Sequence, residues 1–165
     1  MLFRSIGAAA VITGPGVYRH FPSKQALLEH LCDRAMTRML DGARDTPVAH
    51  PRPDEALVGL VDLHVAFAVG ERTLLGVWAR EQRALSDEVR RSLRRRQRAY
   101  EQVWRDVLLG VRPELSPDEA QVVVSATLGL LNTSALVDTT VPAPRLAQLL
   151  RRAALAALRA PAGPG

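Results

Sequence analysis

Tyr18, Arg19, His20 and Lys24 place four hydrogen-bond donors in one short stretch of the chain. A phenol, a guanidinium, an imidazole and an ammonium can each hold a phosphate oxygen. The stretch that carries them is punctuated as a helical corner. From Thr13 to Phe21 there is room for barely two turns of helix, with Thr13 as N-cap and Pro15 in the first turn, where its missing N–H costs nothing. Pro22 stops that helix and Ser23 caps a new one. Two helices joined so tightly suit a surface that grips a nucleic-acid backbone and its base edges. Lys24 is the sole lysine of the chain. Residues 1–40 hold five basic side chains against two acidic ones, a charge of +3, which fits phosphate attraction that weakens steeply with salt. The plainer reading of the same residues is the solvated surface of a helical corner.

No other stretch offers catalytic chemistry. A nucleophile beside a base and paired carboxylates are missing, and His20, His30, His50 and His64 show no metal-ligand spacing on one helix face. Gly14-Pro15-Gly16 has neither the preceding strand nor the following glycine of a nucleotide loop. The sequence therefore predicts no enzyme, no metal and no cofactor. Cys32, the single cysteine, excludes an intramolecular disulfide, fits a reducing cytoplasm and reads as a small buried hydrophobe. No apolar run reaches the ~18 residues of a membrane span.

Two groups suit a binding site instead. His64 lies on an apolar face beside Leu60, Val61 and Ala68, either as a hydrogen-bonded core histidine or as a polar group lining a pocket. Trp78, Tyr100 and Trp104 are either core or the wall of a ligand site inside a helical bundle. Arg90, Arg91, Arg94, Arg95, Arg96 and Arg98 are the densest charge. All except Arg96 fall off the Val89/Leu93/Tyr100 stripe, as on a solvated face. The alternatives are a nucleic-acid or membrane surface, or one or two arginines rimming a pocket for an anionic ligand.

These residues need helices to position them, and helical periodicity runs through the chain. After Ser23, the residues Ala26, Leu27, Leu31, Ala35 and Met39 predict a helix to about Gly42. Residues 45–53, with Thr46-Pro47 and His50-Pro51-Arg52-Pro53, predict a break and a domain boundary. Asp54-Glu55 opens a helix through about Val69 whose face is Leu57, Leu60, Val61, His64, Val65 and Ala68. Shorter and longer helices follow over about 72–84 and 86–109. Ser116-Pro117-Asp118-Glu119 is a capping box, and the helix after it, to about Val137, is apolar nearly all round, which predicts burial on several sides. A last amphipathic helix begins after Pro142.

The string Val17-Tyr18-Arg19-His20-Phe21-Pro22-Ser23-Lys24-Gln25-Ala26-Leu27-Leu28 resembles the TetR family of transcriptional regulators. The tyrosine, the His-Phe pair, the Ser-Lys and the Leu-Leu are that family's most recognisable signature. The resemblance is specific over residues 5–40 and is one of layout beyond them. It implies a ligand-responsive dimeric regulator, a repressor, with a helix-turn-helix head and a four-helix dimer interface built from the last two long helices. It implies that Thr13 to His20 is the recognition helix. Thr13, Pro15 and Gly16 would sit at its groove-facing start, Tyr18 and His20 would hold phosphates, and Lys24 would reach a phosphate on the flanking backbone. Residues 63–131 look like members associated with acyl-CoA or lipid catabolism. The implied effector is thus a small apolar or amphipathic molecule, with acyl-CoA-like compounds among the options.

The sequence also departs from the family. Members carry a full helix, and the start of a second, ahead of this string. Val11 stands where a turn glycine is usual, and a β-branched residue resists the positive φ of such a turn. An N-terminally truncated member is therefore expected, or one whose start is assigned downstream of the real one.

At 165 residues, 47% hydrophobic and with a net charge of +5, the chain can bury a sizeable core and attract anionic partners. The expectation is an all-α protein. Residues 1–45 are a partial helix-turn-helix DNA-binding region and residues 54–160 a ligand-binding and dimerisation domain. The expected partners are double-stranded DNA, the effector and a second copy of the chain, in the cytoplasm and with no membrane. The alternative is a truncated dimerisation and effector-binding protein that does not bind DNA by itself.

Overall fold

The computed structural model describes residues 21–81 and 85–161, and these form six helices with no strand among them. They are α1 (Lys24–Ala49), α2 (Pro53–Gly70), α3 (Arg72–Glu81), α4 (Asp87–Val111), α5 (Pro117–Thr133) and α6 (Ala143–Arg159). The expected all-α fold is found.

The helix starts follow their sequence signals. Ser23 accepts a hydrogen bond from Ala26 N at 3.0 Å to cap α1. Ser86 caps α4 through Val89 N, with Asp87 and Glu88 in the first turn. Ser116 and Glu119 form the predicted reciprocal capping box at α5, with Pro117 in its first turn.

Two helix ends differ from the sequence expectation. α1 does not stop near Gly42 but runs through Pro47 to Ala49. Pro47 lacks the N–H that would bond back to Ala43, yet it sits in the last turn, where one missing bond costs least. Thr46 Oγ1 donates to Gly42 O at 2.7 Å, and His50 N donates to Thr46 O at 2.9 Å to close the end. The residues expected to be linker are therefore helix, and only His50 to Arg52 separate α1 from α2. Gly59 lets the two approach, since a Cβ there would lie 2.8 Å from Thr46 Cγ2. The second difference is α5, which ends at Thr133 rather than near Val137.

α2 is the central helix and packs against α1, α3, α4, α5 and α6. Its Leu57, Leu60, Val61 and Ala68 are fully buried. Around them stand Trp104 and Leu108 of α4, Val124 and Leu131 of α5, and Ala154 and Leu158 of α6, all fully buried in one cluster. A second cluster joins the start of α1 to α3 and α4 through Leu28, Cys32, Val77, Leu85 and Leu93. α1 is thus built into the body from Leu28 to Ala43.

Arginines make contacts around the edge of the core. Arg96, the one member of its run that the stripe predicts to face inward, donates to Thr37 Oγ1 at 2.7 Å and pairs with Asp33, both on α1. Arg91, Arg94, Arg95 and Arg98 are exposed, as a solvated face requires. Arg112 is buried at the end of α4 and donates to Glu114 at 2.8 Å. Arg72 at the start of α3 donates to Ser134 O at 3.1 Å and Val137 O at 2.7 Å, which fastens α3 to the segment after α5.

α5 is not buried all round. Ala120, Val124, Thr127, Leu128 and Leu131 face the core, while Val122 is 67% exposed. The excess of apolar residues that suggests complete burial lies partly on an outward face.

Candidate effector cavity and DNA-facing helix end

A half-open cavity of about 620 Å³ lies between α1, α2, α3, α4 and α5. α1 contributes Cys32, Ala35, Met36 and Met39, and α3 contributes Leu74, Leu75, Trp78 and Ala79. His64 and Phe67 come from α2, and Leu93, Gln97, Tyr100 and Glu101 from α4. α5 contributes Ser125, Leu128, Gly129, Asn132 and Thr133, of which only Leu128 is buried. The volume and the mainly apolar wall are those of a small-molecule site.

A hydrogen-bonded group forms its polar end. His64 Nδ1 lies 2.9 Å from Tyr100 OH, and His64 Nε2 lies 3.1 Å from Asn132 Oδ1. Because the Asn132 oxygen can only accept, Nε2 carries the proton and donates to it, and Tyr100 OH donates to the bare Nδ1. Burial holds the His64 imidazole down at about 4, against a smaller opposing effect of its bond to Asn132. Burial likewise pushes the Tyr100 phenol above its usual range. Both groups are therefore neutral at physiological pH. Cys32, another lining residue, is pushed up to about 11 by burial and then by the Glu29 carboxylate, so it is an unreactive thiol.

Of the four expected wall residues, His64, Trp78 and Tyr100 line the cavity. Trp104 does not. It lies one turn beyond Tyr100 on the same stripe, which carries it past the cavity floor into the core, where it is fully buried. Its ring stands 6.1 Å from the His64 ring, edge-on, and 6.1 Å from that of Tyr100, so it backs the two polar rings. Asn132 carried no signal of its own in the sequence, because a lone amide in an apolar helix has no periodic mark. The arginine run does not reach the wall, and no Lys or Arg is among the described lining residues.

At the other end of α1, Lys24 is partly exposed, and its Nζ lies 3.8 Å from a carboxylate oxygen of Glu81 on α3. Glu29 Oε1 accepts from Ser86 N at 2.9 Å, a bond that holds its carboxyl below the usual range and ties α1 to the start of α4. Thr13, Pro15, Gly16, Tyr18 and His20 lie outside the described residues.

Two family models match the sequence. The model described as tetracyclin repressor-like, C-terminal domain, matches residues 50–136, and the model for bacterial regulatory proteins of the tetR family matches residues 3–31. The chain belongs to the TetR family. It is a transcriptional regulator and not an enzyme. No curated protein matches it in sequence. Solved TetR-family structures share its fold at low identity. The regulator PfmR from Thermus thermophilus superimposes with a TM-score of 0.75 at 17% identity, over 96% of this chain and 87% of that one. A TetR-family regulator from Bordetella parapertussis gives 0.73 at 22%, over 94% and 83%. AibR, solved with isovaleryl coenzyme A and operator DNA, gives 0.64 at 17%, over 92% and 84%.

Proposed function

We propose that this TetR-family chain is a cytoplasmic, dimeric, effector-responsive repressor. The observation that carries the reading is the cavity wall itself. α1 leaves the corner at Ser23 and within three turns becomes one side of a 620 Å³ hollow, through Cys32, Ala35, Met36 and Met39. Any molecule that fills the hollow bears on α1, the helix that follows the expected DNA-reading residues Thr13, Pro15, Gly16, Tyr18 and His20 in the chain. A helix–turn–helix dimer reads half-sites ~34 Å apart, so a small swing of α1 in each subunit changes their register. Lys24 adds a direct link. It serves a DNA phosphate, while Glu81 at the end of the cavity helix α3 competes for the same ammonium.

The effector is a small apolar or amphipathic molecule, and isovaleryl coenzyme A, bound by AibR, is one example of the acyl-CoA-like class. Dimerisation uses α5 and α6. Val122, Ala126 and Gly129 on α5, and Leu149, Ala153 and Ala156 on α6, are exposed at i, i+4, i+7 spacing. Small residues on both stripes allow four helices to pack closely. No helix among the described residues is long and apolar enough to cross a membrane.

A gel shift of the 165-residue chain on its own upstream DNA tests the reading. A shift that weakens steeply between 50 and 200 mM salt is expected. No salt-sensitive shift up to micromolar protein would leave the alternative, a dimerising effector-binding protein that does not read DNA alone.

A further inference from the structure

The cavity's lining is short of one kind of chemistry. Its described wall carries no Lys or Arg, and its single acidic group is Glu101. That carboxylate is already used, since one oxygen accepts from Gln97 Nε2 at 3.0 Å and the other from Gln121 Nε2 at 3.1 Å. His64 contributes no positive charge, because burial holds it neutral. An anionic headgroup against this half-open wall would lose part of its water, meet the Glu101 carboxylate and find no Lys or Arg among the described lining residues. The polar end is differently equipped. Asn132 spends its oxygen on His64, and its amide N–H groups make no hydrogen bond among the described residues. Tyr100 spends its proton on His64 and keeps oxygen lone pairs.

We infer that the cavity selects an uncharged, mainly apolar molecule with a carbonyl- or hydroxyl-type group at one end, held by Asn132 and Tyr100. The inference rests on the proposed effector site and narrows it. Met36, Met39, Phe67, Leu74, Trp78 and Leu128 supply the apolar surface, and the methionines let it fit chains of different shape. A ligand that keeps a charged group must leave that group outside the hollow.

Two naphthylamine dyes that share a ring body test the charge rule on the full chain. N-phenyl-1-naphthylamine is neutral, and 1-anilinonaphthalene-8-sulfonate carries one negative charge. Cavity binding is the part of the fluorescence lost in both Ala35→Trp on α1 and Ala79→Trp on α3, with melting curves to check that both variants fold. The neutral dye should bind the cavity at least about tenfold more tightly than the sulfonate. It should be displaced by 1-decanol more readily than by decanoate or decylammonium. Glu101→Gln should narrow the gap between the dyes, and Asn132→Leu should weaken 1-decanol but not the neutral dye. Equal cavity binding of the two dyes, or better displacement by either charged competitor, overturns the uncharged class while leaving an effector site in place. Fluorescence that neither filling variant reduces overturns the site itself, and the effector-responsive reading with it.

Discussion

At the scale of single residues the account rests on His64, Asn132 and Trp104. The sequence left two roles open for His64, core group or pocket polar group, and the structure shows that one residue fills both. Its environment makes stability depend on pH. The folded-state value of about 4 lies below the ordinary 6.5, so the unfolded chain takes up a proton first as pH falls. The stability from a neutral buried imidazole is complete above about 6.5, falls between 6.5 and 4, and is fully lost below 4. Between pH 7 and pH 5 the loss should be about 2 kcal/mol. Urea unfolding at both pH values measures it, and His64→Gln should remove most of the difference. Trp104→Ala should cost about 3–5 kcal/mol by opening a hole in the core. It should also loosen the rings of His64 and Tyr100 that Trp104 backs. Asn132 was invisible beforehand because its meaning comes from a partner 68 positions away, at a distance no local pattern encodes.

At the scale of helices, sequence and structure agree wherever the signal is chemical and local. The caps at Ser23, Ser86 and Ser116 form as their spacing requires. Ser116→Ala should lower stability by about 1 kcal/mol in the same unfolding assay. They disagree where a proline predicts a stop. Pro47 lies in the last turn of α1, and neighbouring α2 holds that turn in place through the close contact at Gly59, so packing outweighs the local preference. Of the break expected over residues 45–53, residues 45–49 are helix and His50 to Arg52 separate α1 from α2. α1 runs unbroken from Lys24 past the cavity wall. The Lys24–Glu81 pair is the second connection, unreadable from sequence because it joins residues on different helices. Glu81→Gln should release Lys24 for phosphate and tighten DNA binding about two- to fivefold at low salt. Lys24→Gln should weaken it and flatten its salt dependence.

At the scale of the whole molecule, the string from Val17 to Leu28 is enough to point to the family, and the helical layout matches known folds at under a quarter identity. The cavity could not be read the same way. Its walls come from five helices, and only their packing shows which apolar residues face the hollow rather than one another. The arginine run shows the converse, since its inward member was legible from the stripe alone. If α5 and α6 form the dimer, Ala153→Glu should convert it to monomer in light scattering and abolish tight DNA binding without changing the melt of the subunit core. The most direct test of the central claim, that cavity and DNA site are linked through α1, is reciprocal. The dissociation constant for upstream DNA is measured by fluorescence anisotropy with the cavity empty and with it saturated by N-phenyl-1-naphthylamine. The dye's own constant is then measured with and without DNA. Linkage predicts that each ligand weakens the other by the same factor, roughly 5- to 150-fold. Two pairs of unchanged constants would contradict it.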